Sequence, residues 1–242
     1  MENIFWIGGV LGIAAAVQSL AGFGFALVAI AFLPFFLELQ FAIPLVLLLC
    51  LLSNFGLWVY YRDSFDWRAI VPLVLSAMVA IPLGLVGWHY VPEALARKLL
   101  GIFIVLYVLY DVLRLVSPVF TMPTLESPFW AYLLGGISGF LTGAFTVGGP
   151  PLVIYAKSKE WTPEEFKSNL PGVYVVALTF ALAGHFFEGH LTLELWKIAL
   201  CTLPFFAVGM GIGILLSKKI DAVSFNRIVL SLLGVIGLRM IW

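Results

Sequence analysis

The chain has 242 residues, 62% of them hydrophobic and only 11% charged, with a mean hydropathy of +1.09. A soluble domain carries about 25% charged residues, so this composition describes an integral membrane protein with little room for a soluble domain. The 13 basic and 13 acidic residues cancel, which excludes the basic footprint of a nucleic-acid-binding protein.

Met1-Glu2-Asn3 lacks the basic region of a cleaved signal peptide, so the small-residue run Ala14–Ala16 is read as part of a first membrane segment. Apolar runs follow over 4–37, 41–61, 69–90, 95–117, 128–157, 169–187, 194–217 and 224–242. A helix needs about 20 residues to cross a hydrocarbon core of about 30 Å, and six of these runs fit one crossing each. The first run does not: as one helix it would measure about 51 Å. It carries Gly22-Phe23-Gly24 near its centre, where the chain either turns back as a hairpin or breaks within a tilted crossing. The two cysteines, Cys50 and Cys201, lie inside apolar runs with no metal or disulfide spacing, and are read as small residues facing lipid or core.

Residues 118–127 form a join with three prolines in the stretch Ser117 to Pro128, read as an extended linker. It divides the chain into a first membrane repeat, 1–117, and a second, 128–242. The fifth run again holds a break, Gly148-Gly149-Pro150-Pro151, but it is shorter, with only a few apolar residues between Pro151 and Lys157, so this copy alone would fit a single broken crossing. After it, Thr162-Pro163-Glu164-Glu165 reads as an N-cap, a first-turn proline and first-turn acids opening a new helix.

The two breaks belong to copies of one pattern. An offset of 127 aligns Gly8 with Gly135, Gly9 with Gly136, Gly12 with Gly139, Gly22 with Gly149, Ser19 with Thr146 and Pro44 with Pro171. If each broken segment re-enters and returns to its own side, Arg62, Arg68, Arg114, Lys157, Lys159, Lys167, Lys218, Lys219 and Arg227 share one face. Arg97, Lys98, Lys197 and Arg239 then share the other. That asymmetry follows the positive-inside rule better than single crossings do, and it places the Lys157–Lys167 and Lys218–Arg227 loops in the cytoplasm. Each half then has a re-entrant hairpin and three full crossings. An odd number of crossings inverts the second copy relative to the first, and the expected fold is an all-α polytopic membrane protein of two inverted repeats.

Irregular backbone inside a membrane is tolerated only where protein or a cavity surrounds it. The breaks are therefore candidate binding turns, with helices starting near Phe23 and Pro150 and aiming N–H groups and a positive dipole end at an anion. Gly22, Phe23, Gly24, Gly148, Gly149 and Pro150 carry this reading, against helix packing as the alternative. The earlier glycines, Gly8-x-x-x-Gly12 and Gly139-x-x-x-Gly143, read instead as packing faces. Gln18, Ser19 and Thr146 precede the breaks and either bond oxyanion oxygens or bond their own helix carbonyls. Asn54 and Asn169 are costly polar groups in lipid that face substrate or bond across helices. Lys167 either attracts anions at the cytoplasmic mouth or snorkels to set topology.

Other polar groups have simpler readings. Asp111 and Arg114 read as a local ion pair, and the Trp and Tyr residues at run ends as an aromatic belt. His185-Phe186-Phe187-Glu188-Gly189-His190 matches no zinc spacing such as His-Glu-x-x-His and reads as an interfacial cluster, with a proton-linked or metal role as the alternative.

The duplicated glycine signature, Gly8-Gly9-x-x-Gly12 with Gly22-Phe23-Gly24 and Gly135-Gly136-x-x-Gly139-x-x-x-Gly143 with Gly148-Gly149-Pro150, resembles the TauE/SafE family of membrane transporters. The second copy matches the family turn more closely; the first has Ala21 and Phe23 where the second has Gly148 and Pro150. The resemblance implies export of sulfite or small organosulfonates across a bacterial inner membrane, with no cofactor, no catalytic residue and no resident metal.

The reading is thus a secondary transporter of a small anion working by alternating access, with the lipid bilayer as its surroundings and a homodimer left open. No Walker motif occurs, so a gradient must drive transport. The competing classes are an intramembrane protease or lipid-modifying enzyme, which would need a nucleophile with a base, and an anion channel, which only flux kinetics separate from a carrier.

Overall fold

The structure, a computed structural model, describes residues 3–116, 125–217, 234–235 and 237–241, with backbone only at 88, 89, 93, 111 and 114–116. Among the described residues the chain is helical, with no strand. The helices are α1 (Ile4–Ala21), α2 (Phe25–Phe32), α3 (Leu39–Tyr60), α4 (Trp67–His89) and α5 (Glu93–Val116), followed by α6 (Pro128–Phe145), α7 (Gly149–Ser158), α8 (Pro163–Phe187) and α9 (Leu193–Leu216). Most of the join at 118–127 and of the last apolar run, including the Lys218–Arg227 loop, lies outside the described residues, as do the side chains of Asp111 and Arg114.

The order within the first half, a long helix, a short one and then long ones, is restarted at α6. By length and apolarity α1, α3, residues 67–87 of α4, α8 and α9 can each cross a membrane. The short helices cannot: α2 has 8 residues and α7 has 10, about 12 and 15 Å of rise. The outward faces of the long helices are apolar and exposed, as at Leu75, Val79, Leu83 and Val86 along α4. Such a stripe is unfavourable in water and favourable against lipid. Buried polar side chains such as Gln18, Asn54, Ser138, Thr142 and Thr146 lie inside.

Local sequence explains where the helices begin. Thr162 accepts a hydrogen bond from the Glu165 N–H while Glu165 reaches back to the Thr162 N–H, the reciprocal cap expected of Thr162-Pro163-Glu164-Glu165. Ser127 and Thr192 cap α6 and α9 with the hydroxyl alone, accepting from the N–H groups of Phe129 and Leu195. Prolines inside α3 (Pro44) and α8 (Pro171) occupy matching places in the two halves.

Glycine stripes join the halves. Gly135, Gly139 and Gly143 of α6 lie on the backbone of α4 at Leu73, Ala77 and Ile81 in turn, so the two helices run parallel. Gly8 and Gly12 of α1 meet Phe205 of α9, and Gly213 meets Ala16, so this pair is parallel as well. A Cβ on Gly12 would stand 2.9 Å from the Phe205 carbonyl oxygen, closer than van der Waals contact permits. The packing reading of these glycines therefore holds.

The pairing is also reciprocal. The first helix of each half packs on the corresponding helix of the other half: α1 on α9, α6 on α4. α3 and α8, the third members of each half, pack on one another. Tyr61, just past the end of α3, lies beside Lys167 near the start of α8. Asn54 and Cys50, farther back along α3, share a cavity with Tyr174, farther along α8. α3 and α8 therefore run antiparallel.

Candidate functional site

Each break is a reversal with its own chemistry. In the first, α1 ends at Gly22 (φ +83), whose N–H donates to the Gln18 carbonyl at 2.7 Å, and Gly24 (φ +107) precedes α2. Two left-handed residues in three are accessible at little cost only to glycine. α2 packs back onto α1, and a Cβ on Gly24 would stand 3.2 Å from Val17. The helices start at Phe25 and Gly149, within two residues of the expected positions.

The second break is held differently. Thr146 ends α6 in the left-handed region (φ +61), an unfavourable conformation for a β-branched residue. Ser138 donates to the Gly148 carbonyl at 2.7 Å, fixing the turn from within α6. A Cβ on Gly148 would overlap Thr142 and Ser138, so only glycine fits there. Pro150 and Pro151 have no N–H, leaving Gly148 and Gly149 as the donors of the cap and first turn of α7.

The two breaks meet. Phe23 packs edge-on against Phe166 and Tyr107, and its ring faces Gly149, where a Cβ would lie 3.9 Å away. Between them is a cavity of about 20 Å³, room for one water-sized group. Gln18, Gly24, Ala26 and Leu27 line it from the first break, and Thr146, Val147 and Gly149 from the second. α3 adds Cys50 and Asn54, and α8 adds Tyr174. No cation lines it.

The polar groups on this lining divide into two kinds. Gln18 and Asn54 are engaged: Gln18 Oε1 accepts the Phe25 N–H at 3.0 Å, Gln18 Nε2 donates to Asn54 Oδ1 at 2.9 Å, and Asn54 Nδ2 donates to the Cys50 carbonyl at 2.8 Å. This chain ties the first break to α3 and gives the start of α2 a side-chain cap. The hydroxyls of Thr146 and Tyr174 are buried and have no hydrogen-bond partner among the described residues. A buried hydroxyl left unpaired costs about 1–3 kcal/mol, and two on one cavity wall fit a wall built to receive an oxygen-rich ligand.

Not every candidate reaches this cavity. Ser19 donates to the Ala15 carbonyl at 2.8 Å, the local alternative. Asn169 accepts the Asp66 N–H at 2.8 Å and pins the α3–α4 turn to α8, the cross-element alternative. Gly22 faces the Lys167 stem, and the Lys167 ammonium lies 5.6 Å from the centre of the Tyr61 ring. The lysine therefore sits where the first break, the α3–α4 turn and the start of α8 converge, off the cavity wall. Gln18, Gly24, Asn54, Thr146 and Gly149 come together; Cys50 and Tyr174 join them without having been singled out.

The family described as "Sulfite exporter TauE/SafE" matches residues 7–240. A protein of Cupriavidus necator named "Probable sulfite/organosulfonate exporter TauE" is 22% identical over 172 residues, 71% of this chain and 67% of the relative. No solved structure matches. The chain belongs to the TauE/SafE family, a family of multi-pass membrane transporters.

Proposed function

We propose that this TauE/SafE family member exports sulfite or a small organosulfonate by alternating access around its two breaks, which bind the anion through neutral donors. The observation that carries this reading is the pair of unpartnered hydroxyls, Thr146 and Tyr174, on one buried, cation-free wall between two intramembrane helix starts. Helix starts supply partial positive charge without the several kcal/mol that an unpaired cation costs inside a bilayer. A full ion pair at low dielectric would also hold a monoanion too firmly for turnover. The relative's name supports the choice of sulfur oxyanion.

The repeats give the movement its geometry. Reciprocal packing of α1 on α9 and α6 on α4, with α3 antiparallel to α8, supports two inverted repeats over 1–117 and 128–242 joined by 118–127, each starting with a re-entrant hairpin. Had each break crossed once, α3 and α8 would run parallel. A cavity of about 20 Å³ is smaller than any sulfur oxyanion, so the breaks must separate to admit one. The contact that must open is Phe23 against Gly149 and Phe166.

The test is flux by purified protein in liposomes loaded with sulfite, thiosulfate, sulfate or taurine. Saturable sulfite efflux with counterflow is expected. Absence of flux of every anion under every imposed gradient would refute the proposal.

A further inference from the structure

The far end of α8 carries a second cluster that the transport site does not use. α8 closes with Gly189 in the left-handed region (φ +78), the Gly189 N–H donating to the Phe186 carbonyl and the His190 N–H to the His185 carbonyl at 3.0 Å. This pair of bonds is a Schellman cap. It folds His190 back over the last helical turn, so two imidazoles five residues apart come ring to ring, with centroids 5.1 Å apart and Nδ1 atoms 2.9 Å apart. The Glu188 carboxylate stands 3.3 Å from His190 Nδ1, and one ligand atom from each of the three residues falls within a 4.8 Å group.

These separations have the size of the edges of a metal coordination shell. Four ligands bound at about 2.0–2.2 Å in a tetrahedron lie about 3.3 Å from one another. His185 is 3% exposed, and the cap's backbone bonds fix the reversal that brings its partner across, so binding would need little ordering. The spacing resembles no helix-face zinc pattern because a reversing chain, rather than one helical face, brings these ligands together.

We propose that His185, Glu188 and His190 form a binding site for a divalent ion of the zinc class, ligated by the two Nδ1 atoms and one carboxylate oxygen. Two neutral imidazoles and a carboxylate suit this ion, and three protein ligands leave one position for water or an external ligand. The bound ion ties the end of α8 to the turn leading into α9. α8 also carries Tyr174 and seats Gly184 against Leu85 of α4.

The test uses full-length, untagged protein in detergent, with zinc contested by a chromophoric chelator and cobalt as a spectroscopic probe. One equivalent of zinc is expected per chain, together with the strong visible bands of four-coordinate cobalt. H190A and E188Q, both on the partly exposed turn, should each weaken zinc binding by about tenfold or more, since second-shell changes alone cost that much. Their unchanged sulfite flux would show that both variants fold. Zinc held no better by the parent than by H190A, or cobalt bands that survive in H190A, would overturn the proposal and leave the two rings as a hydrogen-bonded pair.

Discussion

At the scale of single residues, the hydroxyls preceding the two breaks have different work. Ser19 and Thr146 align in the repeat, yet Ser19 is bonded to its own helix while Thr146 faces the cavity unpartnered. Ser19→Ala should therefore leave sulfite flux within about twofold of the parent, since a side-chain bond back to its own helix slightly destabilises that helix. Gln18→Ala removes the bond to the Phe25 N–H and the tie to Asn54 together, leaving both buried; a cost of about 2 kcal/mol or more should appear as a lower melting temperature as well as lost transport. Lys167→Gln should raise the KM for sulfite by only a few fold, and the difference should shrink at high salt, because the lysine stands off the cavity wall and acts at a distance. A loss of binding that high salt does not alter would instead make Lys167 a direct ligand. Tyr174 and Cys50 could not be singled out in the sequence, since each suits an apolar run and only the cross-half pairing of α3 with α8 turns them onto one cavity. A sharper signal existed for Cys50: it lies one helical turn before Asn54, the costliest polar residue of that run.

At the scale of elements, the second break was legible because adjacent glycines followed by proline serve no purpose in an uninterrupted membrane helix, and the first because an apolar run too long for one crossing carries Gly22 and Gly24 near its centre. What they face was not legible, because that depends on contacts between residues more than a hundred positions apart. The two glycine classes separate cleanly in a mutational test. Gly139→Leu forces a side chain into the α4 backbone at Ala77, which should cost about 1–3 kcal/mol or more and reduce yield and melting temperature before any effect on transport can be read. Gly149→Leu places its first carbon 3.3 Å from the Tyr174 hydroxyl, a tight contact relieved if that side chain gives by a few tenths of an ångström, and extends into the cavity. It should leave the protein folded and abolish flux. Normal transport by Gly149→Leu would remove the second break from the site.

At the scale of the whole molecule, the antiparallel course of α3 and α8 supports the proposed re-entrant hairpins over single crossings, a choice that basic-residue asymmetry favoured only narrowly. In the proposed arrangement Glu164, in the first turn of α8, faces the cytoplasm, and Glu194, in the first turn of α9, faces the outside. In a Cys201→Ser background, with Cys50 too buried to react, a membrane-impermeant thiol reagent applied to intact cells should label Glu194→Cys and spare Glu164→Cys. The reverse pattern would contradict the topology. Binding of the anion by two facing breaks through neutral hydroxyls makes one sharp demand on sulfite efflux from liposomes containing the Thr146→Val/Tyr174→Phe double variant. Hydrogen bonds to a charged group are worth about 1.5–3 kcal/mol each, so losing both should lower kcat/KM by about a hundredfold or more while the melting temperature holds or rises. Parent-like efflux by a folded double variant would show that these hydroxyls do not bind the anion.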